Sequence, residues 1–324
     1  MAEEKEKGQM KKLSLLALTE VLLLITCSRV LAQPGTQAEK LLKFMKSGDL
    51  TNALEIVQNI DSVNYRDKNG MSLLMSAIEA GYTVVCGKLI DKGANLDYQR
   101  ADGATALIMA CRFGHPNIVS YLLEKGANPD LQSLNGSTAL IWTSNIGRAN
   151  VVKILLDNGA NPDIQGQDGS TALIWASLKG HTDVVNLLMD KGANSALMRS
   201  DGATALIIAT QEGMTEIVKV LLDKGANPDQ LGGNEISALI RSSQLGNSEI
   251  VKLLLEKDAN PDLRGKNGYT ALMVASMNGH TDIVTELLNK SANPDLKNAE
   301  GKSALDLASN SDIMSLLANI KKQE

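Results

Sequence analysis

Residues Gln167 to Arg199 read QDGSTALIWASLKGHTDVVNLLMDKGANSALMR, and their punctuation decides the fold. Asp168-Gly169 is a turn dipeptide. Ser170 and Thr171 supply hydroxyls that can cap a helix start. Ala172, Leu173 and Ala176 fall on one narrow apolar face of a short helix, and Gly180 stops it. Thr182-Asp183 can cap a second helix, whose apolar set is Val184, Val185, Leu187 and Leu188. Lys191 followed by Gly192 is the order expected at a helix end: a cation in the last turn, then a residue that tolerates positive φ. Two small helices and a loop cannot bury both of their faces alone, so something must stack on either side.

Copies of the same unit do the stacking. A step of 33 residues from Gly169 meets Gly70, Gly103, Gly136, Gly202, Gly268 and Gly301, with Glu235 the one break. The inter-helix glycine recurs at Gly48, Gly81, Gly114, Gly147, Gly180, Gly213, Gly246 and Gly279. A hydroxyl opens each first helix, at Ser72, Thr105, Thr138, Thr171, Thr204, Ser237, Thr270 and Ser303, and a leucine follows two residues later. A fixed period of this length is the mark of a solenoid.

On these residues the chain resembles the ankyrin repeat family, whose period is 33 residues. The family's Thr-Pro-Leu-His motif is matched here by T-A-L-I, as in Thr171-Ala172-Leu173-Ile174. Gly-His at Gly114-His115, Gly180-His181 and Gly279-His280 matches as well, as does Gly-Ala-Asn at 126–128, 159–161, 192–194 and 225–227. Alanine stands where the family carries proline, and an aliphatic residue where it carries histidine. The resemblance covers about residues 61–320 and implies an all-α ankyrin solenoid of helix–turn–helix units with short hairpin-like loops, used as a scaffold for protein partners.

The expected organisation is a signal peptide over 1–32, with Met10 a possible true start. An N-terminal capping repeat over 36–60 follows, then seven repeats over 61–297, and a C-terminal capping repeat over 298–324. In that last repeat Asp306 takes the isoleucine column and Asp312 the glycine column. The leader reading rests on Lys11-Lys12, the apolar run Leu13 to Ile25, and Val30-Leu31-Ala32 before Gln33, which stand in signal order. Glu20 interrupts the apolar run. Export to the periplasm or medium is therefore expected. The alternatives are a lipid anchor through Cys27, or a cytosolic chain if the leader does not function. No later run reaches the ~18 apolar residues that span a bilayer. The net charge of −5 argues against a nucleic-acid partner, which needs a clustered basic face. Of three cysteines, Cys86 and Cys111 read as buried small residues rather than a bridge.

Candidate chemistry is sparse. His115, His181 and His280 share one column in different repeats and read as turn structure. Asp130, Asp163, Asp229, Asp262 and Asp295 form a ladder, but one carboxylate per repeat supplies too few oxygens for Ca²⁺. No cofactor, metal or catalytic residue is expected. Trp142 and Trp175 share a column and read as mutual packing between neighbouring first helices. The resemblance places the two residues before each inter-helix glycine on a concave face. They are Arg112 and Phe113, Asn145 and Ile146, Leu178 and Lys179, Gln211 and Glu212, Gln244 and Leu245, and Met277 and Asn278, with Tyr269 at a loop tip. Phe113, Ile146, Leu178, Leu245 and Met277 are apolar where solvent would favour polar side chains, which suits a protein-binding strip. The expected function is an exported, monomeric, non-catalytic scaffold for a protein partner. The alternatives are an inhibitory, immunity or regulatory partner of a co-exported enzyme, or a secreted effector acting on host proteins.

Overall fold

The computed structural model describes residues 36–320. The leader, its cleavage site and Cys27 lie outside them, as do residues 321–324. The described residues form seventeen α-helices, two short 3-10 turns and no strand, with one isolated antiparallel bridge between Arg66 and Ser72. This is the all-α solenoid of helix–turn–helix units that the period implied.

The helices start where the hydroxyls said they would. Ser72, Thr105, Thr138, Thr171, Thr204, Ser237 and Thr270 each accept the backbone N–H three residues on, at 3.1–3.3 Å. One orphan donor per helix is thereby satisfied. The second helices begin differently. Thr182 was expected to cap and is instead the first helical residue, with His181 at the cap position and no side-chain cap bond. The left-handed Gly180 before it turns the chain so that Thr182 N–H bonds Gly180 O at 3.1 Å, which leaves the hydroxyl no capping task.

The chain divides into two compact units, residues up to Ala101 and from Asp102 onward. In the first, α1 (Gln37–Ser47), α2 (Leu50–Gln58), α3 (Leu73–Glu79) and α4 (Thr83–Asp91) pack as two helical pairs, α1 on α3 and α2 on α4. Leu41, Val57, Leu74, Ile78, Val85 and Leu89 fill their core. Cys86 is buried there as a free thiol, its pKa pushed up to about 12 by desolvation.

The second unit holds five full pairs: α5 (Ala106–Phe113) with α6 (Pro116–Glu124), α7 (Ala139–Asn145) with α8 (Ala149–Asp157), α9 (Ala172–Leu178) with α10 (Thr182–Asp190), α11 (Ala205–Gln211) with α12 (Thr215–Asp223), and α13 (Ala238–Leu245) with α14 (Ser248–Glu256). A sixth pair follows, α15 (Ala271–Asn278) with α16 (Thr281–Asn289), and α17 (Ser311–Ile320) closes the row. First helices pack on first helices and second on second, as the contacts of α7 with α9 and of α8 with α10 show. The core repeats with them: Leu140, Leu155, Leu173, Leu188, Leu221, Leu254 and Leu287 are each at most 1% exposed. Cys111 is free and fully buried, and burial pushes its thiol pKa up.

Hydrogen bonds stitch one repeat to the next. Along the hairpins Leu134 N–H bonds Asp102 O at 2.9 Å, Gln167 bonds Asn135 O at 3.2 Å, and Ser200 bonds Asp168 O at 2.8 Å. The aspartate ladder has the same task. Asp130 Oδ1 accepts from Asn161 N–H at 2.9 Å, Asp163 from Asn194 at 2.8 Å, Asp229 from Asn260 at 2.8 Å and Asp262 from Asn293 at 2.7 Å. At the inter-helix turn His181 Nε2 donates to Asn145 O at 3.1 Å, and Arg148 Nη1 takes the equivalent role on Cys111 O at 2.8 Å. This contact is why Gly147 must lack a side chain: its φ is +75°, and a Cβ there would lie 2.6 Å from the His181 ring.

Repeat 232–264 carries the backbone cost that its sequence breaks imply. Glu235 sits at φ 56° and Asp258 at φ 60°. Ser291, Asn234 and Asn267 share the left-handed region. Arg241 sends Nη1 to Gln244 Oε1 at 3.0 Å, while its buried Nε makes no hydrogen bond.

The last repeat departs from the expected register. Residues 304–307 form a turn rather than a first helix. Asp306 accepts from both the N–H and the hydroxyl of Ser303 at 2.8 Å, which ties the segment as a tight turn. Helix α17 begins at Ser311, so Ile313 and Leu317 are buried as Ile283 and Leu287 are, thirty residues earlier. Asp312 therefore lies inside a helix and not in the glycine column. The second helix thus comes three residues early, and a single turn stands where the first helix would be.

Candidate functional site

Six short helices, α5, α7, α9, α11, α13 and α15, end beside one another, and each end is followed at once by the turn that starts the second helix. A helix of seven residues is about two turns long, so its last side chains stand at the solvent edge whatever their polarity. Phe113 is 40% exposed, Ile146 38%, Leu245 46% and Met277 42%. Arg112, Lys179, Gln211, Glu212, Gln244 and Asn278 are also exposed. Leu178 departs from the expected strip, being only half exposed, and Asn145 and Tyr269 are half-buried too. Asn145 Oδ1 is shielded and makes no hydrogen bond; Asn278 Nδ2 donates to Val274 O at 2.9 Å.

Trp142 and Trp175 lie on adjacent, contacting helices, and both are half-buried. Arg112 Cζ stands 5.8 Å from the Trp142 ring centroid, and Lys179 Nζ stands 5.9 Å from that of Trp175. Both distances lie within cation–π range. The sequence set the indoles apart from the exposed strip, whereas the structure joins them to it. The available signal was spacing: Lys179 follows Trp175 by four residues, one turn of the same helix.

The hairpins border this face. Arg199 donates to Asp201 through Nε at 3.0 Å and Nη2 at 2.5 Å, and that bond holds the Asp201 carboxyl below its ordinary range. Arg199 is raised by the same bond, with Asp168 and Glu212 contributing, so hairpin and helix end share one electrostatic neighbourhood. Leu134, at the tip of its hairpin, is 67% exposed. Sequence reading passed over it, although the same column carries Gln167, Ser200, Gly233 and Lys266 in later repeats. Beneath the strip the hydroxyls of Ser144, Ser177, Thr210, Ser243 and Ser276 form a buried column without hydrogen bonds. Among the described residues no group of three or more His, Cys, Asp or Glu side chains is arranged to hold a metal ion. The arrangement presents apolar and cationic side chains on rigid helix ends, which suits binding.

A family model described as Ankyrin repeats (3 copies) matches residues 41–133, 125–198, 140–232, 192–264 and 239–324. The matches overlap and leave no gap between 41 and 324. Comparison with curated proteins gave no match. No described helix is long and apolar enough to cross a membrane.

Proposed function

This chain belongs to the ankyrin repeat family, a scaffold for protein–protein interaction, and we propose that it is an exported, non-catalytic scaffold that binds one protein partner through the concave face of its repeats. The observation that carries this reading is the row of large apolar side chains left in solvent at the first-helix ends. Phe113, Ile146, Leu245 and Met277 are between 38% and 46% exposed at the ends of helices whose other apolar residues, Trp142 apart, are buried. The exposed part of each costs solubility and adds nothing to the core, so a partner surface accounts for it best. Arg112 beside Phe113 puts the two residue types enriched in hot spots next to each other. The leader order over 1–32 supports export.

The experiment is a crosslinking pull-down from the exported fraction, with wild-type and Phe113→Ala full-length chains. A single stoichiometric partner is expected. Phe113→Ala should weaken its binding at least tenfold, about 1.4 kcal/mol, with the melting temperature nearly unchanged. Undiminished capture by a Phe113→Ala, Ile146→Ala double variant would remove this face from the reading.

A further inference from the structure

The chain has two tryptophans, and the fold sets both in one row. Trp142 is on α7 and Trp175 on α9, helices in direct contact. Along the stack the order is Arg112, Trp142, Trp175, Lys179: two half-exposed indoles with an exposed cation at each end. Within the second unit no carboxylate occurs among the helix-end residues Arg112, Phe113, Asn145, Ile146, Leu178 and Lys179; the next helix end carries Glu212, which lies in the field of Arg199. The nearest hairpin carboxylates have other tasks. Asp102 accepts from Ala104 N–H at 3.1 Å, Asp168 accepts from the Ser170 N–H at 3.0 Å and from its hydroxyl at 2.8 Å, and Asp201 accepts from Ala203 N–H at 3.1 Å and from Arg199. Across these three repeats, in a chain of net charge −5, the helix ends themselves carry two cations and no carboxylate, with aromatic rings between them.

We propose that this row recognises an acidic segment of a partner protein, with two apolar side chains laid on the indoles and carboxylates paired to Arg112 and Lys179. The inference rests on the scaffold reading and names the chemistry of its partner. Charge complementarity selects the sign: a basic segment would meet two exposed cations, and a neutral one would leave them unpaired. Arg112 offers a planar fork that pairs a carboxylate in two-point fashion. The indoles give large rigid contact area with few rotatable bonds. Packed helices lie about 8–10 Å apart. Anchors that meet both rings are then about three residues apart on a polyproline II segment, at ~3.1 Å per residue and three residues per turn, or about seven apart on a helix, at ~1.5 Å per residue.

Because the chain has no third tryptophan, its indole emission reports this row directly. The probes are synthetic peptides rich in Asp and Glu with two leucines spaced by three or by seven. Control peptides carry Lys for the acids or Ser for the leucines. Binding to the full-length chain is followed by tryptophan emission. At least one acidic spacing should bind, the Lys and Ser controls should not, and added salt should weaken the complex. Arg112→Glu with Lys179→Glu should reduce affinity at least tenfold while circular dichroism stays unchanged. An independent arm needs no peptide. With each ion's quenching normalised to that of free N-acetyltryptophanamide, iodide should quench the native emission more efficiently than caesium, and the double charge reversal should invert that order. Equal or stronger quenching by caesium in the native chain overturns the proposal, as does indifference to peptide charge or failure of both acidic spacings. If those results appear while partner capture still depends on Phe113, the scaffold reading stands and the acidic chemistry is wrong.

Discussion

The aspartate ladder is broken at one rung, and repairing it tests whether the ladder stabilises the stack. In four repeats an Asp carboxylate accepts the Asn N–H of the following repeat at 2.7–2.9 Å. Position 196 is the missing rung: Ala196 stands where those repeats carry aspartate, below Asn227. Ala196 is exposed, so a larger side chain meets no packing barrier. A hydrogen bond to a charged group is worth about 1.5–3 kcal/mol, and solvent exposure reduces this to roughly 1 kcal/mol. The new charge would sit about one helix spacing, ~8–10 Å, from Asp163 and Asp229. Repulsion at that distance is about 0.4 kcal/mol per pair in water, and salt near 0.1 M cuts it to less than half. The net gain expected for Ala196→Asp is about 0.7 kcal/mol, roughly a threefold slowing of amide exchange at Asn227. Ala196→Asn keeps an acceptor without the repulsion and should do about as well. Hydrogen exchange read residue by residue is the assay. In the native chain Asn227 should exchange faster than Asn161, Asn194 and Asn260. If all four amides are equally protected before substitution, or if Asn227 is not slowed in either variant, the ladder contributes nothing measurable.

Two further outcomes follow from the sequence breaks and the leader. Glu235→Gly with Asp258→Gly relieves two non-glycine residues at φ 56° and 60°; at roughly 1 kcal/mol each, less the greater unfolded freedom of glycine, the urea midpoint should rise. Native exchange showing 232–264 as well protected as 166–198 would contradict the reasoning. Mass spectrometry of the exported protein should find a chain that begins at Gln33, and an intact leader on cytosolic protein would refute export; palmitate labelling would instead place an anchor at Cys27.

Much of the fold was legible because each repeated column answers a backbone demand that few residue types meet. Gly147 is glycine for its positive φ and for the His181 ring above it. Thr138 carries a hydroxyl because a helix begins at the next residue and Ile141 N–H needs an acceptor. Such demands show in one-letter code. Register inside a repeat does not show when residues are missing, because a step of 33 continues to land on plausible letters. Ser303 and Leu305 kept their columns while the helix they imply had shrunk to a turn. Left-handed backbone at Ser291 escaped notice because the glycine it replaces was judged by letter and not by geometry.

The candidate site was legible in its residue types and hidden in its depth. Apolar letters at Trp142 and Trp175 satisfied a core reading, since most apolar letters on those helices are buried. What decides exposure is the size of the side chain, since the same position is buried where it holds Met109, Ile208 or Val274. α7 and α9 are seven residues long, and each tryptophan holds the fourth position, within one turn of the solvent edge. A leucine there could turn inward wholly. An indole is too large to tuck between helices already closed by Ala139, Thr143, Ala172 and Ala176, all 0% exposed, so part of it stays outside. Arg112 and Lys179 come to lie over the rings for the same reason, since they stand at those ends and the rings are what they find. The size of the indole on a short helix, more than the polarity of the letters around it, brought the aromatic pair and the cations onto one face.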